Sequence, residues 1–167
     1  MGKIAFGGWV DVMCLDRRRR ELWRARLKNG ITNQAMNYGL EVMLRVGTPA
    51  ANWGFLLIDN TSFSAISVVD TYSSHAGWIE NTNYSESTRP AWSPAAASGQ
   101  QISATTTSAF TMTSTVTIAG VALVSSMVKG DSTPGSYLFM TSLFDAARQL
   151  LNGSILRVNY TCLAAGA

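Results

Sequence analysis

The residues of this chain that could do chemistry are few, and they concentrate between Phe55 and Trp92. This stretch holds the only histidine, His75, together with Asp70, Glu80 and Glu86. A histidine base that activates a serine also needs an orienting carboxylate, and the serines beside His75 are ordinary in so serine-rich a chain. We therefore predict a hydrogen-bonded structural histidine rather than a catalytic one.

The sequence contains no pattern typical of a metal or cofactor site. A zinc site needs several His or Cys ligands at short spacing, whereas Cys14 and Cys162 lie near opposite ends of the chain and belong to no CxxC pair. The motifs of nucleotide, dinucleotide, acyl-transfer and zinc-protease sites are missing. The sequence predicts no enzyme, metal or cofactor, and two free buried thiols, with a disulfide that joins the chain ends as the alternative.

Two glutamates, Glu80 and Glu86, raise the possibility of a glycosidase, which uses paired carboxylates. Carboxylates in loops more commonly accept hydrogen bonds from backbone amides. Arg89 follows closely and could form an ion pair with either glutamate, between the rings of Tyr84 and Trp92. We favour this ion pair over catalysis.

Charge is unevenly distributed along the 167 residues, of which only 14% are charged. Residues 1–30 carry eight basic and three acidic groups, a net +5, while the remaining 137 carry five basic and seven acidic groups, a net −2. The strongly positive N-terminal segment predicts a negatively charged partner. The low charge is typical of β-rich surface, shell or fibre proteins. No signal peptide and no membrane span are expected.

The basic segment reads as a β-hairpin. Trp9–Leu15 and Glu21–Leu27 alternate as strands do, and Arg17, Arg18, Arg19 and Arg20 stand between them. These four arginines form either an electrostatic docking tip or a solvated turn. Trp9 and Trp23 are better explained as core rings than as stacking platforms, so we expect no specific nucleic-acid recognition; nonspecific contact with a polyanion stays open.

One α-helix is predicted at about residues 33–46, with Thr32 or Asn33 as its N-cap. Its apolar face contains Met36, Leu40, Met43 and Leu44. We expect this face to cover an open end or face of a sheet.

The remaining pattern is that of short strands. They are predicted at Phe55–Ile58, Val116–Ser126, Tyr137–Phe144 and Ile155–Leu163, with a helical turn at Asp145–Leu151. Ile102–Ser114 is a Thr/Ser-rich run that contains Phe110 and Met112. Continuous apolarity in Val116–Ser126 indicates burial on both faces. The predicted fold is an antiparallel β-sandwich of jelly-roll or Greek-key type, a single domain with a basic hairpin or arm at 1–30 and a body at 31–167.

The long connection before Trp92 lacks a regular ladder for its backbone groups. We predict Asp70, His75, Glu80 and Arg89 as its internal hydrogen-bond partners. Three rings, Trp78, Tyr84 and Trp92, are predicted to anchor it to the body or to a subunit interface. If they were exposed, the same rings could form a platform for sugars.

The chain also resembles a group of small proteins encoded among the structural genes of tailed bacteriophages. The resemblance covers about residues 22–163 and is carried by Asn29–Gln34, Gly39-Leu40, Met43-Leu44, Trp53–Asn60, Asp70-Thr71, His75–Glu80, Tyr84 and Thr88–Trp92. Only the block from His75 to Trp92 is specific. The four-arginine tip departs from the group, where a more ordinary turn is expected.

This resemblance implies a virion component that is assembled in the host cytoplasm. We expect a non-enzymatic capsid decoration or cement protein that binds the shell as a homo-oligomer, with a trimer favoured. Its partners would be phage capsid proteins and copies of itself. The alternatives are a neck or tail-fibre component, or a receptor- or carbohydrate-binding module of the particle.

Overall fold

Two antiparallel β-sheets and one helix make up the computed structural model, which describes residues 4–166. Residues 1–3, including the basic Lys3, and residue 167 lie outside the described residues. The elements, in chain order, are β1 Ile4–Leu15, β2 Glu21–Lys28, β3 Gly30–Ile31, α1 Asn33–Leu44, β4 Trp53–Asp59, β5 Glu80–Asn81, β6 Ala91–Trp92, β7 Gln101–Ser103, β8 Ser108–Thr111, β9 Val116–Val124, β10 Leu138–Leu150 and β11 Ile155–Gly166. The predicted mainly-β sandwich is confirmed.

The first sheet has the strand order β2-β1-β11-β7, and β8 also pairs with β11. Strand β1 pairs with β11 along its whole length, from Ile4 opposite Gly166 to Leu15 opposite Ile155. The N-terminal hairpin is therefore integrated into a sheet, and Val10, Val12 and Leu27 place their side chains in the common core.

The second sheet has the order β3-β10-β9-β4-β5, with β6 also paired to β4. Its central strand β9 is buried on both faces, as its apolarity predicts: Val121 and Leu123 face the core between the sheets, while Ala122 and Val124 face the opposite side. Position 120 requires glycine, because a Cβ there would lie 2.1 Å from the Ser142 carbonyl oxygen.

A third layer covers the outer face of the second sheet. The connection between β4 and β5 lies over this face, and its Phe63, Ile66, Tyr72 and Trp78 pack on apolar side chains of β4, β9 and β10. A loop can form such a layer because large rings bury enough apolar area to offset the entropy of ordering it. The long connection is thus fixed by aromatic side chains.

The helix has the predicted position, but its packing face was predicted wrongly. Thr32 Oγ1 accepts a hydrogen bond from the Ala35 amide at 3.1 Å and caps the helix. The side toward the protein carries Ala35, the only buried residue of α1, and Tyr38, whose ring lies 5.6 Å from that of Trp53. The predicted inner residues Leu40, Met43 and Leu44 point to solvent instead.

One further local prediction needs correction. Asp145–Leu151 is not a helical turn: β10 continues to Leu150 and pairs it with Val116, because burying Leu150 in the core outweighs local helix propensity. The Thr/Ser-rich run Ile102–Ser114 contains two short strands, β7 and β8, which pair with different parts of β11.

The two cysteines are free and buried, as predicted. Burial raises the pKa of both Cys14 and Cys162 above the ordinary thiol value, which keeps them protonated and unreactive. Within residues 4–166, no helix has the length and apolarity that crossing a membrane requires.

Candidate functional site

A buried ion pair between Arg89 and Glu80 stands at the centre of the chemistry-bearing stretch. The two side chains are 1% and 8% exposed, and Arg89 Nη2 lies 2.7 Å from Glu80 Oε2. Arg89 Nε also donates to Glu80 Oε1 at 3.0 Å, so the contact is bidentate. The predicted ion pair therefore forms, and Glu80 is the partner.

Every hydrogen-bond donor of Arg89 is occupied. Besides Glu80, Nη1 donates to the Tyr72 hydroxyl at 2.9 Å and to the Ser126 carbonyl at 3.2 Å, and Nη2 donates to the Asp131 carbonyl at 2.8 Å. Burial lowers the pKa of Arg89, but the hydrogen bonds to Glu80 and Tyr72 outweigh burial and raise it overall. A guanidinium with all five N–H groups engaged has none left for a ligand.

Glu80 is equally well satisfied. Its Oε2 accepts from the Gly130 amide at 2.9 Å, and its Oε1 accepts from the Tyr84 hydroxyl at 3.4 Å. Burial, and then the negative charge of Glu80, raise the pKa of Tyr84 far above the ordinary phenol value. The carboxylate is therefore held as a fixed acceptor.

The network extends to residues that sequence reasoning missed. Asp131 accepts a hydrogen bond from Tyr72 at 2.8 Å, and hydrogen bonds from the Thr133 hydroxyl and amide, and then from Tyr72, lower its pKa to about 2. Gln34 of α1 accepts from the Tyr72 amide at 2.9 Å and from the Leu138 amide at 2.7 Å. The turn residues Asp131-Ser132-Thr133 were visible in the sequence, but no pattern there points to Arg89.

His75 lies against Trp78 and not against a nucleophile. The two rings stack with centroids 3.8 Å apart, and His75 Nδ1 is 3.0 Å from the Trp78 carbonyl oxygen. Asp70 Oδ2 accepts from the indole Nε1 of Trp78 at 3.0 Å and from the Ser67 amide at 2.9 Å. These contacts hold the connection over the second sheet.

A cavity of about 210 Å³ adjoins this network and is lined by residues that include Tyr72, His75, Glu80, Arg89 and Asp131. Tyr72, Glu80, Arg89 and Asp131 are hydrogen-bonded within the network, whereas His75 contacts Trp78. Among residues 4–166, no group of three or more His, Cys, Asp or Glu side chains is placed to hold a metal ion.

The three anchor rings are buried, so they do not form the exposed platform that the carbohydrate-binding alternative needs. The indole Nε1 of Trp92 donates to the Tyr160 carbonyl at 3.1 Å and so joins the second sheet to β11 of the first.

Lys129 Nζ lies 4.0 Å from the centre of the Tyr84 ring and donates to the Tyr84 carbonyl at 2.6 Å. Sequence reasoning did not find Lys129.

The two glutamates of the glycosidase hypothesis have separate structural roles. Glu80 binds Arg89, whereas both oxygens of Glu86 accept from the Thr111 amide at the end of β8, at 3.1 and 3.0 Å. Each carboxylate is therefore committed to a contact that organises the loop.

The arginine tip differs from this network because it is exposed. Arg17, Arg18, Arg19 and Arg20 all lie at the surface, in the turn between β1 and β2. Asp16 forms the turn by accepting from the Arg18 and Arg20 amides at 2.8 and 2.9 Å. The hydrogen bond from the Arg20 amide is the largest cause of the lowered pKa of Asp16.

Turn chemistry alone does not explain these arginines. Arg19 has a φ of 61°, a left-handed conformation that glycine or asparagine adopts at lower cost. Arg17 lies over the turn between β10 and β11, where its Nε donates to the Asn152 carbonyl at 3.0 Å. A Cβ on Gly153 would be 2.3 Å from that Nε. The tip is thus positioned against the body of the protein.

The two N-terminal tryptophans have different environments. The Trp23 ring is partly buried and meets Phe144 edge to face, with centroids 5.6 Å apart, as a core ring should. Trp9 is also partly buried, but the guanidinium of Arg26 covers its ring at 4.9 Å. Neither ring is presented as a free stacking surface.

Comparison of the chain with protein-family models and with curated proteins gives no match.

Proposed function

We propose that this chain is a non-enzymatic structural protein of a tailed-phage virion, a decoration or cement protein that binds the shell as a homo-oligomer. The link to a phage particle comes from the resemblance of the block between His75 and Trp92. Low charge and the β-sandwich suit a protein packed among copies of itself. On this proposal the protein is assembled in the host cytoplasm and resides in the virion.

The observation that carries the proposal is the outward apolar face of α1. Leu40, Met43 and Leu44 are 52%, 56% and 77% exposed, and Val46 just beyond the helix is 95% exposed. A contiguous apolar face on a helix is typical of a protein–protein contact. The buried network around Arg89, by contrast, has every donor of that residue satisfied.

A second copy of the chain is the occupant we assign to this face. The charged residues beside it, Glu41 and Arg45, form an ion pair with each other at 3.0 Å. Two copies can therefore meet there without like-charge repulsion. A trimer is the favoured assembly.

Self-association is tested by Leu40→Glu, which places a charge in the proposed interface. Sedimentation should show an oligomer for the unaltered chain and a monomer for this variant. Leu151→Glu is the matched control, because Leu151 is also 52% exposed but lies on another part of the surface. A monomeric unaltered chain, or dissociation by both variants, would count against the α1 interface.

Docking to the particle is assigned to the arginine tip, which would meet an acidic face of neighbouring subunits. The purified protein should bind capsids in a salt-sensitive manner, and replacing Arg17–Arg20 by Ser should weaken that binding. Replacement of the same four residues by Lys keeps the charge and serves as the control. Undiminished binding of the serine variant would exclude the tip as the docking element.

Neck or tail-fibre attachment is the alternative location for the same surfaces. Binding to isolated tails rather than to heads would support it, and a micrograph-derived map of the particle would identify the position directly.

A further inference from the structure

A second basic surface continues from the tip along the outer face of the first sheet. Alternate residues of β2 point to solvent, and these are Leu22, Arg24, Arg26 and Lys28. The row begins next to Arg17–Arg20 and runs along the edge of the sheet. The basic side chains of the hairpin therefore form a stripe rather than an isolated tip.

A groove of about 620 Å³ lies beside this row. Its lining includes Arg24 and Arg26 on β2, Met13 on β1, and Arg157 and Asn159 on β11. Arg24, Met13 and Arg157 occupy one cross-strand row of the sheet. The groove thus has basic side chains on both sides of an apolar one.

The charges of the groove are only partly neutralised. Arg24 forms an ion pair with Glu21 at 2.5 Å, and Arg26 with Asp11 at 2.7 Å, each through Nε and Nη2. In the part of the chain that the structure describes, the Nη1 group of neither arginine makes a hydrogen bond. Within residues 4–166, Arg157 takes part in none of the ion pairs or side-chain hydrogen bonds, although its neighbour Asn159 donates to the Ala104 carbonyl.

Protection of the sheet edge does not account for this arrangement. Basic residues on an edge strand keep other strands from pairing with it, and this explains Arg24, Arg26 and Lys28 on β2. Arg157 is different, because β11 is an interior strand with neighbours on both sides. An unpaired guanidinium at that position needs another reason.

We propose that the groove and the β2 row bind an extended, carboxylate-rich polypeptide segment of a neighbouring protein. Residues two apart on a strand are about 6.7 Å apart, so Arg24, Arg26 and Lys28 match alternate acidic residues of an extended chain. Arg157 receives a further carboxylate across the groove, and Met13 contacts an intervening apolar side chain. The choice of a protein partner rests on the proposed function.

Nucleic acid fits this surface less well. Single-stranded nucleic acid binds on exposed aromatic rings, but the Trp9 ring is covered by Arg26 and Trp23 packs on Phe144. Carboxylates spaced as on a strand are the better match.

The test measures binding of two fluorescent probes to the full chain at one salt concentration. One probe is a peptide of alternating glutamate and threonine, and the other is an oligothymidylate of equal charge. We expect the peptide to bind more tightly, and Arg157→Ser to weaken it about tenfold. Gln149→Glu on β10 is the control, because it lowers the net charge by the same amount at an exposed position outside the groove, and it should leave the affinity unchanged. Arg157→Lys should restore part of the affinity.

Tighter binding of oligothymidylate would overturn the proposal in favour of nucleic acid. Equal peptide affinity for Arg157→Ser and the unaltered chain, or no peptide binding at all, would also overturn it. Amide chemical shifts of Met13 and Asn159 in the unaltered chain give a second readout that needs no variant, and they should move on peptide addition. If the chain binds capsids but not the peptide, the groove proposal is wrong and the proposed virion function stands. If the chain binds the peptide but not capsids, the proposed virion function is wrong and the groove proposal stands.

Discussion

The same pair of side chains, an arginine and a carboxylate, has opposite roles in two regions of this molecule. Arg89 and Glu80 are almost completely buried, whereas Arg20, Arg24 and Arg26 are 72%, 70% and 64% exposed in their own ion pairs. A buried charge that loses its partner strongly destabilises the fold. Exposed pairs contribute little to stability and remain available to a partner.

The difference shows how to tell structural charges from functional ones in this fold. Around Arg89 every donor is used within the chain, and the network fastens the connection between β4 and β5 over the second sheet. Within residues 4–166, the Nη1 groups of Arg24 and Arg26 on the N-terminal hairpin make no hydrogen bond, and Arg157 on the neighbouring strand β11 takes part in no ion pair or side-chain hydrogen bond. Binding capacity is therefore expected on the hairpin side of the molecule, and stability on the network side.

The largest effect is expected for Arg89→Ala, which leaves Glu80 buried without its partner. Removal of one member of a buried pair costs about 3–5 kcal/mol in the free energy of unfolding. Urea unfolding followed by tryptophan fluorescence measures this loss. Arg26→Ala, the matched control on the exposed side, should change the free energy of unfolding much less. Similar losses for the two variants would contradict the division into two regions.

A smaller loss is expected for His75→Ala. It removes a ring stacked on Trp78 and a contact to the Trp78 carbonyl, which together are worth about 1–2 kcal/mol. The melting temperature should fall by a few degrees, because about 1 kcal/mol shifts it by roughly 2–4 °C in a domain of this size. An unchanged melting temperature, accompanied by loss of a measurable turnover, would instead assign His75 to catalysis.

The pH dependence of stability should include a contribution from Asp131. Its pKa is lowered from 3.8 to about 2 in the folded protein, so its contribution is present above about pH 3.8 and is lost as the pH falls through about 2. The urea midpoint of the unaltered chain should therefore decrease over this interval, and Asp131→Asn should decrease less steeply. Parallel curves for the two proteins would show that Asp131 does not titrate as the network requires.

The smallest effect is expected within the exposed ion pair of Arg24 and Glu21. A double-mutant cycle with alanine at both positions should give, even at low salt, a coupling free energy far below that of Arg89 with Glu80. High salt should reduce it further, because the pair is exposed to solvent. A coupling comparable to that of Arg89 with Glu80 would mean that the hairpin charges are structural after all.

Local patterns in the sequence predicted a large part of this fold. Alternation indicated β1, β2 and β11, continuous apolarity indicated two-sided burial of β9, and Thr32 marked the start of α1. The anchoring rings and an ion pair of Arg89 were also predicted, because a long polar connection with few strands must satisfy its groups internally. Which of the two glutamates Arg89 binds was left open by the sequence. These features depend on residues close together in the chain or on composition alone.

Tertiary structure decided which surfaces each element presents. The apolar face of α1 predicts burial, yet the helix packs through Ala35 and Tyr38, since the Tyr38 ring meets Trp53 and Tyr137. Likewise Tyr72, Asp131 and Gln34 join the Arg89 network from distant positions. Arg157 and Arg24 share one cross-strand row, with Met13 between them, only because β2, β1 and β11 pair. The sequence by itself determined most of the helices and strands, because periodicity and capping are local. The pairing of strands that are remote in sequence decided which charged groups are bonded within the chain and which can bind a partner.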